Sequence, residues 1–209
     1  MRAVLQRVTG ATVHVNGKLI SRIGPGIVAL IGIGTEDTQA EIAPLCTKIL
    51  ATKLWNENQL ASHIAVPPQY AAEQQTPANG DAPTPAALAA APGEGVKFDG
   101  DAAAAGEKSR SEEVWGGKPW KRNVMEIQGE ILCISQFTLH ARLTKGTKPD
   151  FHKSMGGAQA KELYDELLAK LRTQYVAERV KDGAFGEMMQ CSLTNDGPVT
   201  ILVDTDIKK

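Results

Sequence analysis

The sequence predicts an α+β fold: a single domain with a mixed, mostly antiparallel, barrel-like β-sheet and two main helices, interrupted by a disordered insertion. Three observations carry this expectation. Strand periodicity recurs in short segments at both ends of the chain, helical stripes occur twice, and neither half holds enough strands to build its own sheet. The two halves therefore share one sheet.

Residues 2–9 alternate, with Val4, Gln6 and Val8 set against Ala3, Leu5 and Arg7, the period of a half-buried strand. A second strand over 11–15 turns at Asn16-Gly17, a strong hairpin signal, into a third over 18–23. The run Ile27, Val28, Ala29, Leu30, Ile31 reads as a fully buried strand. Thr38 and Glu41 then form a capping box before Ile42, Leu45, Cys46, Ile49 and Leu50, which mark one face of a helix. Pro44 predicts that this helix starts a residue or two later. Residues 53–55 read as a short strand. Farther on, 130–137 is an apolar strand, and 158–175 is a helix with Leu163, Tyr164, Leu167, Leu168 and Leu171 on one face. Strands over 188–193 and 199–203 complete the set.

Between 65 and 113 the composition changes. Six of the eleven prolines fall between Pro67 and Pro92, among alanine runs and scattered glycines. Large apolar residues are too few to offset the entropy of ordering the segment, so it reads as a disordered Ala/Pro/Gly-rich insertion within a single domain spanning 1–209.

The charge is nearly balanced, 23 Lys and Arg against 24 Asp and Glu, but the balance averages two unlike parts. The insertion holds three basic and eight acidic residues, a net −5, while the remainder carries +4. The longest apolar run is too short for a bilayer span, which needs about 20 residues, and the first residues lack the apolar core of a secretory signal. Three widely spaced cysteines without a CxxC suit a reduced, cytoplasmic protein rather than a disulfide framework or a zinc module.

No GxSxG elbow, HExxH, P-loop or GxGxxG is present. Two polar segments stand out: Ser135-Gln136-Phe137-Thr138 at the end of a buried strand, and 195–200 (NDGPVT) at the turn into the last strand. Strand ends suit sites because a rigid sheet holds the side chains while backbone groups are freed. The plain structural reading is that Ser and Thr satisfy a strand end and that Asn-Asp-Gly-Pro makes a turn.

These segments resemble the D-aminoacyl-tRNA (D-tyrosyl-tRNA) deacylase family. The likeness runs collinearly through MRAVLQRVTGATVHVNG at the start, GIVALIGI, SQFTL (135–139), GTKPDFH (146–152), KDGAFGEMMQ (181–190) and NDGPVT, and it covers nearly everything outside the insertion. The resemblance implies a homodimeric, cofactor-free and metal-free hydrolase. Such an enzyme cleaves the ester between a D-amino acid, or a glycine mischarged on tRNA-Ala, and the 3′-terminal ribose of tRNA. It also implies that Gly197-Pro198 forms a cis peptide reaching into the other subunit's site, where its carbonyls leave no room for an L side chain, and that Arg7 fixes those carbonyls. Ser135, Gln136, Phe137 and Thr138 would form the catalytic segment. Backbone N–H groups near Gln136 and Phe137 would hold the oxyanion, and the substrate's 2′-hydroxyl would help activate water. Phe137 would stack on the terminal adenine. Thr138, and less often Thr200, is the natural side-chain nucleophile; a threonine without a base is a poor one, so Thr138 is expected to orient substrate. Met189 would line the amino-acid pocket, with a core methionine as the equal alternative.

Arg142, Lys145, Lys148 and Lys153 follow the catalytic segment and are expected to meet acceptor-stem phosphates, with Lys118, Lys121 and Arg122 as weaker candidates. His140, His152 and Cys133 suggest a Cys/His hydrolase or a metal site, but Cys133 lies mid-strand, where a thiol is ordinarily inert. His14 and His63 receive no role. Two other readings remain: a nucleic-acid-binding module on the same fold, and a deacylase with altered chirality rules.

Overall fold

The computed structural model describes residues 1–71, 117–144 and 146–206. Six strands and two main helices follow in the order β1 (Arg2–Val15), β2 (Lys18–Ile23), β3 (Gly26–Gly32), α1 (Ile42–Ala51), β4 (Glu130–Ser135), α2 (Gly157–Gln174), β5 (Val180–Asp182) and β6 (Gln190–Asp204). The sheet order is β2-β1-β3-β4-β5, with β6 on the other side of β1. The pairs β1–β2, β1–β3 and β1–β6 are antiparallel, while β3–β4 and β4–β5 are parallel, so the sheet is mixed. Ser21 Oγ on β2 donates to the Asp182 carbonyl on β5 at 2.5 Å, which draws the two ends of the order together into a nearly closed barrel.

The apolar periodicity sorts the core into two clusters. Leu5, Ile27, Ile31, Ile131 and Cys133 face α1 and α2, where Leu45, Ile49, Tyr164, Leu167 and Leu171 cover them. The alternate residues Val8, Val28, Leu132 and Ile134 turn the other way and meet Ala11, Val13 and Ile23. β3 and β4 are buried on both faces, which is why they read as unbroken apolar runs.

Residues 2–15 are one strand rather than the two expected. Val8 pairs with Asn195 and Gly10 with Thr194, so Thr9 is an extra residue, a bulge that switches which alternate side chains point inward. The two strands expected over 188–193 and 199–203 are likewise one, β6. Opposite Arg7 alone, between the pairs Val8–Asn195 and Gln6–Thr200, β6 carries the four residues Asp196, Gly197, Pro198 and Val199.

The capping box forms as expected: the Ala40 N–H donates to Thr38 Oγ1, and the Thr38 N–H to Glu41 Oε2 at 2.7 Å. It opens a 3-10 turn over Gln39–Glu41, which hands on directly to α1 at Ile42. Pro44 is tolerated there because a first-turn N–H has no partner to lose. The short strand expected over 53–55 reduces to a bridge between Trp55 and Arg122. β4 ends at Ser135, and Phe137–His140 forms a 3-10 turn.

The disorder expected over 65–113 falls, from residue 72 onward, outside the described residues. Its first part is corrected. Pro68–Tyr70 forms a 3-10 turn, and Tyr70 is buried with its ring against Gly10, where a Cβ would lie 2.6 Å from Tyr70 Cδ2. A glycine inside a strand marks such a close approach. No helix among the described residues is long and apolar enough to cross a membrane.

Candidate active site

The parallel pairing of β3 with β4 sets Ile31 beside Ser135, so both strands deliver their carboxyl ends to one place. A cleft of about 460 Å³ opens there, where ligands are generally found in sheets with parallel strands. Buried Ile31, Ile33 and Ala160 line it together with Ser135, Gln136 and Phe137 from the end of β4 and Phe151, Ser154 and Phe185 from later in the chain. Gly156 and Gly157 at the start of α2 complete the rim. Gly156 provides no side-chain cap, so the positive end of the helix borders the cleft.

Two ties set the shape of this end. The Met155 N–H donates to the Ile33 carbonyl at 2.9 Å, and Ser154 Oγ donates to the Phe137 carbonyl at 2.8 Å. Phe137 and Phe151 meet edge to face at a centroid distance of 5.0 Å. Phe137 is nevertheless 56% exposed, which leaves an aromatic surface at the cleft mouth.

The backbone here corrects one expectation. The Gln136 N–H donates to the Ile31 carbonyl at 2.7 Å; it holds the turn onto β3 and is not available to a substrate. The N–H groups of Phe137 and Thr138, the first two of the 3-10 turn, find no acceptor among the described residues, as the first N–H groups of a helical turn do not. Phe137 lines the cleft and Thr138 follows it just outside the lining; together with the first N–H groups of α2 on the rim, they are donors that an anionic group in this cleft can meet.

Thr138 Oγ1 accepts from Gln136 Nε2 at 2.6 Å. His140, two residues on, is buried, and burial pulls its pKa below the ordinary histidine value. Among the described residues no histidine hydrogen-bonds the Thr138 hydroxyl. Cys133 is fully buried, with its thiol pKa pushed up by burial, and it does not line the cleft. Among the described residues no group of three or more His, Cys, Asp or Glu could hold a metal.

The second polar segment lies elsewhere. The Gly197-Pro198 peptide is cis, and both residues are exposed on the outer part of β6. Beneath them Arg7 is 4% exposed. Its Nε donates to the Asp196 carbonyl at 3.2 Å and stands 3.3 Å from Asp196 Oδ2, and its Nη1 donates to the Leu54 carbonyl. Burial lowers the Arg7 pKa and raises that of Asp196, and their mutual attraction opposes both shifts. None of Arg7, Met189, Gly197, Pro198 and Thr200 lines the cleft of its own chain. Met189 is half-buried against the second core cluster, its Sδ over Gly183, and Thr200 pairs with Gln6.

Of the basic residues, Lys148 borders a shallow depression next to the cleft, sharing Phe151 with it. Arg142 exchanges backbone hydrogen bonds with Asp150, and Lys145 lies outside the described residues. His152 pairs with Asp150 and is exposed. Arg122 Nη1 donates to the Gln59 carbonyl at 3.0 Å and so has a structural task. Sequence reasoning assigned no role to Phe151, Ser154, Gly156 or Phe185, although Phe151 and Phe185 stand in the GTKPDFH and KDGAFGEMMQ segments.

The pattern of the family described as D-Tyr-tRNA(Tyr) deacylase matches residues 4–67 and 107–204. The chain belongs to that family. Its relatives include the D-aminoacyl-tRNA deacylases of Yarrowia lipolytica, 38% identical over 98% of this chain and 97% of the relative, and of Drosophila melanogaster, 34% identical over 100% and 95%. Two solved structures share the fold. One, described as c-Myc DNA Unwinding Element Binding Protein, has a TM-score of 0.68 at 36% identity and covers 98% of this chain and 99% of that one. The other, described as a probable eukaryotic D-amino acid tRNA deacylase, has a TM-score of 0.63 at 16% identity over 97% of each chain. The deacylase family is one of hydrolases, and the stretch between the two matched parts, 68–106, falls within the compositional insertion.

Proposed function

We propose that this deacylase acts in the cleft at the end of β4 on the 3′-terminal aminoacyl ester of tRNA, sparing L-esters and accepting D-esters and glycine mischarged on tRNA-Ala. The observation that carries the site is the pair of unpartnered N–H groups on Phe137 and Thr138 beside an exposed aromatic ring. Water adds to the ester carbonyl carbon, the two N–H groups take the charge that develops on oxygen, and the ribose 3′-oxygen leaves with a proton. The 2′-hydroxyl of the same ribose assists the water. Ser135 and Gln136 shape the segment, Phe137 carries the terminal adenine, and Thr138 orients substrate without forming a bond. Lys148 and Arg142, together with Lys145, meet acceptor-stem phosphates.

The working unit is a homodimer in which Gly197 and Pro198 of one copy enter the cleft of the other, with Met189 and Thr200 beside them. Two observations support this. The Gly197-Pro198 bulge is exposed and absent from its own cleft, and β6 pairs with β1 alone among the described residues while exposing Ile201 and, at 70%, Leu202. A carbonyl wall against the substrate Cα leaves room for hydrogen and none for an L side chain, and glycine passes because it has no side chain. The whole reading also takes 1–209 as one domain with 65–113 inserted.

The test is a deacylation time course on D-Tyr-tRNA, L-Tyr-tRNA and Gly-tRNA-Ala. Loss of the D and glycyl esters with the L-ester spared is expected, and equal rates for D and L would overturn the reading. Thr138→Ala retains measurable turnover in the same assay; complete loss in a variant that folds and binds tRNA normally would restore the threonine nucleophile. A DNA-binding role is the second reading, favoured by the structural neighbour at 36% identity, which is described as binding a DNA unwinding element. Tight, sequence-dependent binding of duplex DNA at physiological salt would support it.

A further inference from the structure

Trp120 has φ 55, a left-handed backbone that a bulky side chain adopts only where its surroundings hold it. The residue is 53% exposed, so burial is a weak reason for the strain. What the ring does meet is Arg7, whose guanidinium carbon lies over it at 6.0 Å from the centroid. The segment is held in place from behind, because the N–H groups of Lys121 and Arg122 both donate to the Trp55 carbonyl, at 2.8 and 3.0 Å.

Arg7 is in turn the floor under the Gly197-Pro198 bulge. A Cβ built on Gly197 would stand 3.0 Å from Arg7 Nη2, which shows how closely the guanidinium underlies that peptide. The carbonyls of Asp196 and Leu54 fix it from two directions, and its charge is poorly solvated. An aromatic face attracts a guanidinium most strongly where water is excluded.

We propose that Trp120 is a positioning residue for chiral discrimination. Its ring shields Arg7 and keeps the guanidinium against the Asp196 carbonyl, so that the Gly197-Pro198 bulge presents one fixed surface. The inference rests on the proposed role of that bulge. It does not require Trp120 to touch substrate.

The test compares Trp120→Phe with Trp120→Leu in the full chain, measuring initial deacylation rates on D-Tyr-tRNA and L-Tyr-tRNA. The ratio of the two rates is independent of how much of each variant folds. Phe keeps a π face and is expected to keep the wild-type ratio, whereas Leu keeps apolar bulk without that face and lowers the ratio by about 3- to 30-fold. An unchanged ratio in Trp120→Leu, or equal losses in both variants, would overturn the proposal. Wild-type protein that fails to spare the L-ester would instead refute the proposed function, and this inference with it.

Discussion

At the residue scale, chemistry is assigned by what each polar atom has left to bond. Gln136 and Phe137 are neighbours, yet the Gln136 N–H is spent on Ile31 while that of Phe137 is open. The sequence marked the segment but not which amide was free, because that depends on where β4 stops and a helical turn begins. His140 makes the same point for titration. It is buried near Gly32, Asp37 and Arg2, and burial depresses its pKa below the ordinary 6.5. The folded protein then binds fewer protons here than the unfolded chain, so His140 subtracts stability as pH falls below about 6.5, until the folded pKa is passed. Urea unfolding at pH 7.5 and 5.5 should therefore show wild type losing stability relative to His140→Gln at the lower pH. Equal losses in both proteins would show that His140 does not titrate differently on folding.

At the element scale, periodicity was legible wherever it was uninterrupted. The apolar stripes of α1 and α2 and the run in β3 lie where the pattern put them. The two strands that each read as a pair share a cause, since β1 and β6 each contain a bulge and a strict period of two ends at a bulge. Gly10 adds to the effect, because it reads as a break while the folded chain uses it to seat Tyr70. Gly26 is the stricter case. A Cβ there would stand 1.9 Å from the Glu130 carbonyl oxygen, within the β3–β4 pair that sets up the cleft. Gly26→Ala must separate two buried strands, so it should destabilise the fold by about 3 kcal/mol or more, read as a lowered urea midpoint. A loss below about 1 kcal/mol would mean that the parallel pair can shift without penalty.

At the scale of the whole molecule, the near-zero net charge hides a basic remainder and an insertion of net −5. An acidic segment tethered to a protein that binds tRNA competes with phosphate, and the competition weakens as salt screens it. Removing 72–116 should tighten tRNA binding at low ionic strength and have little effect at high salt, as read by filter binding across a salt series. Unchanged affinity at low salt would remove this role. The described residues on the two flanks of that segment also differ in what surrounds them. The first is pinned by Tyr70 on Gly10; the second returns at Gly117, which packs against Glu57 and Asn58 three residues before Trp120. Neither anchor borders the cleft. The position is therefore a natural port for grafting a reporter domain, but an asymmetric one. A graft that pulls on its upstream end tugs on a seated tyrosine. One that pulls downstream strains the stretch of chain holding Trp120 over Arg7, so under the role proposed for Trp120 a badly fitted fusion is expected to show a lowered ratio of D-ester to L-ester cleavage.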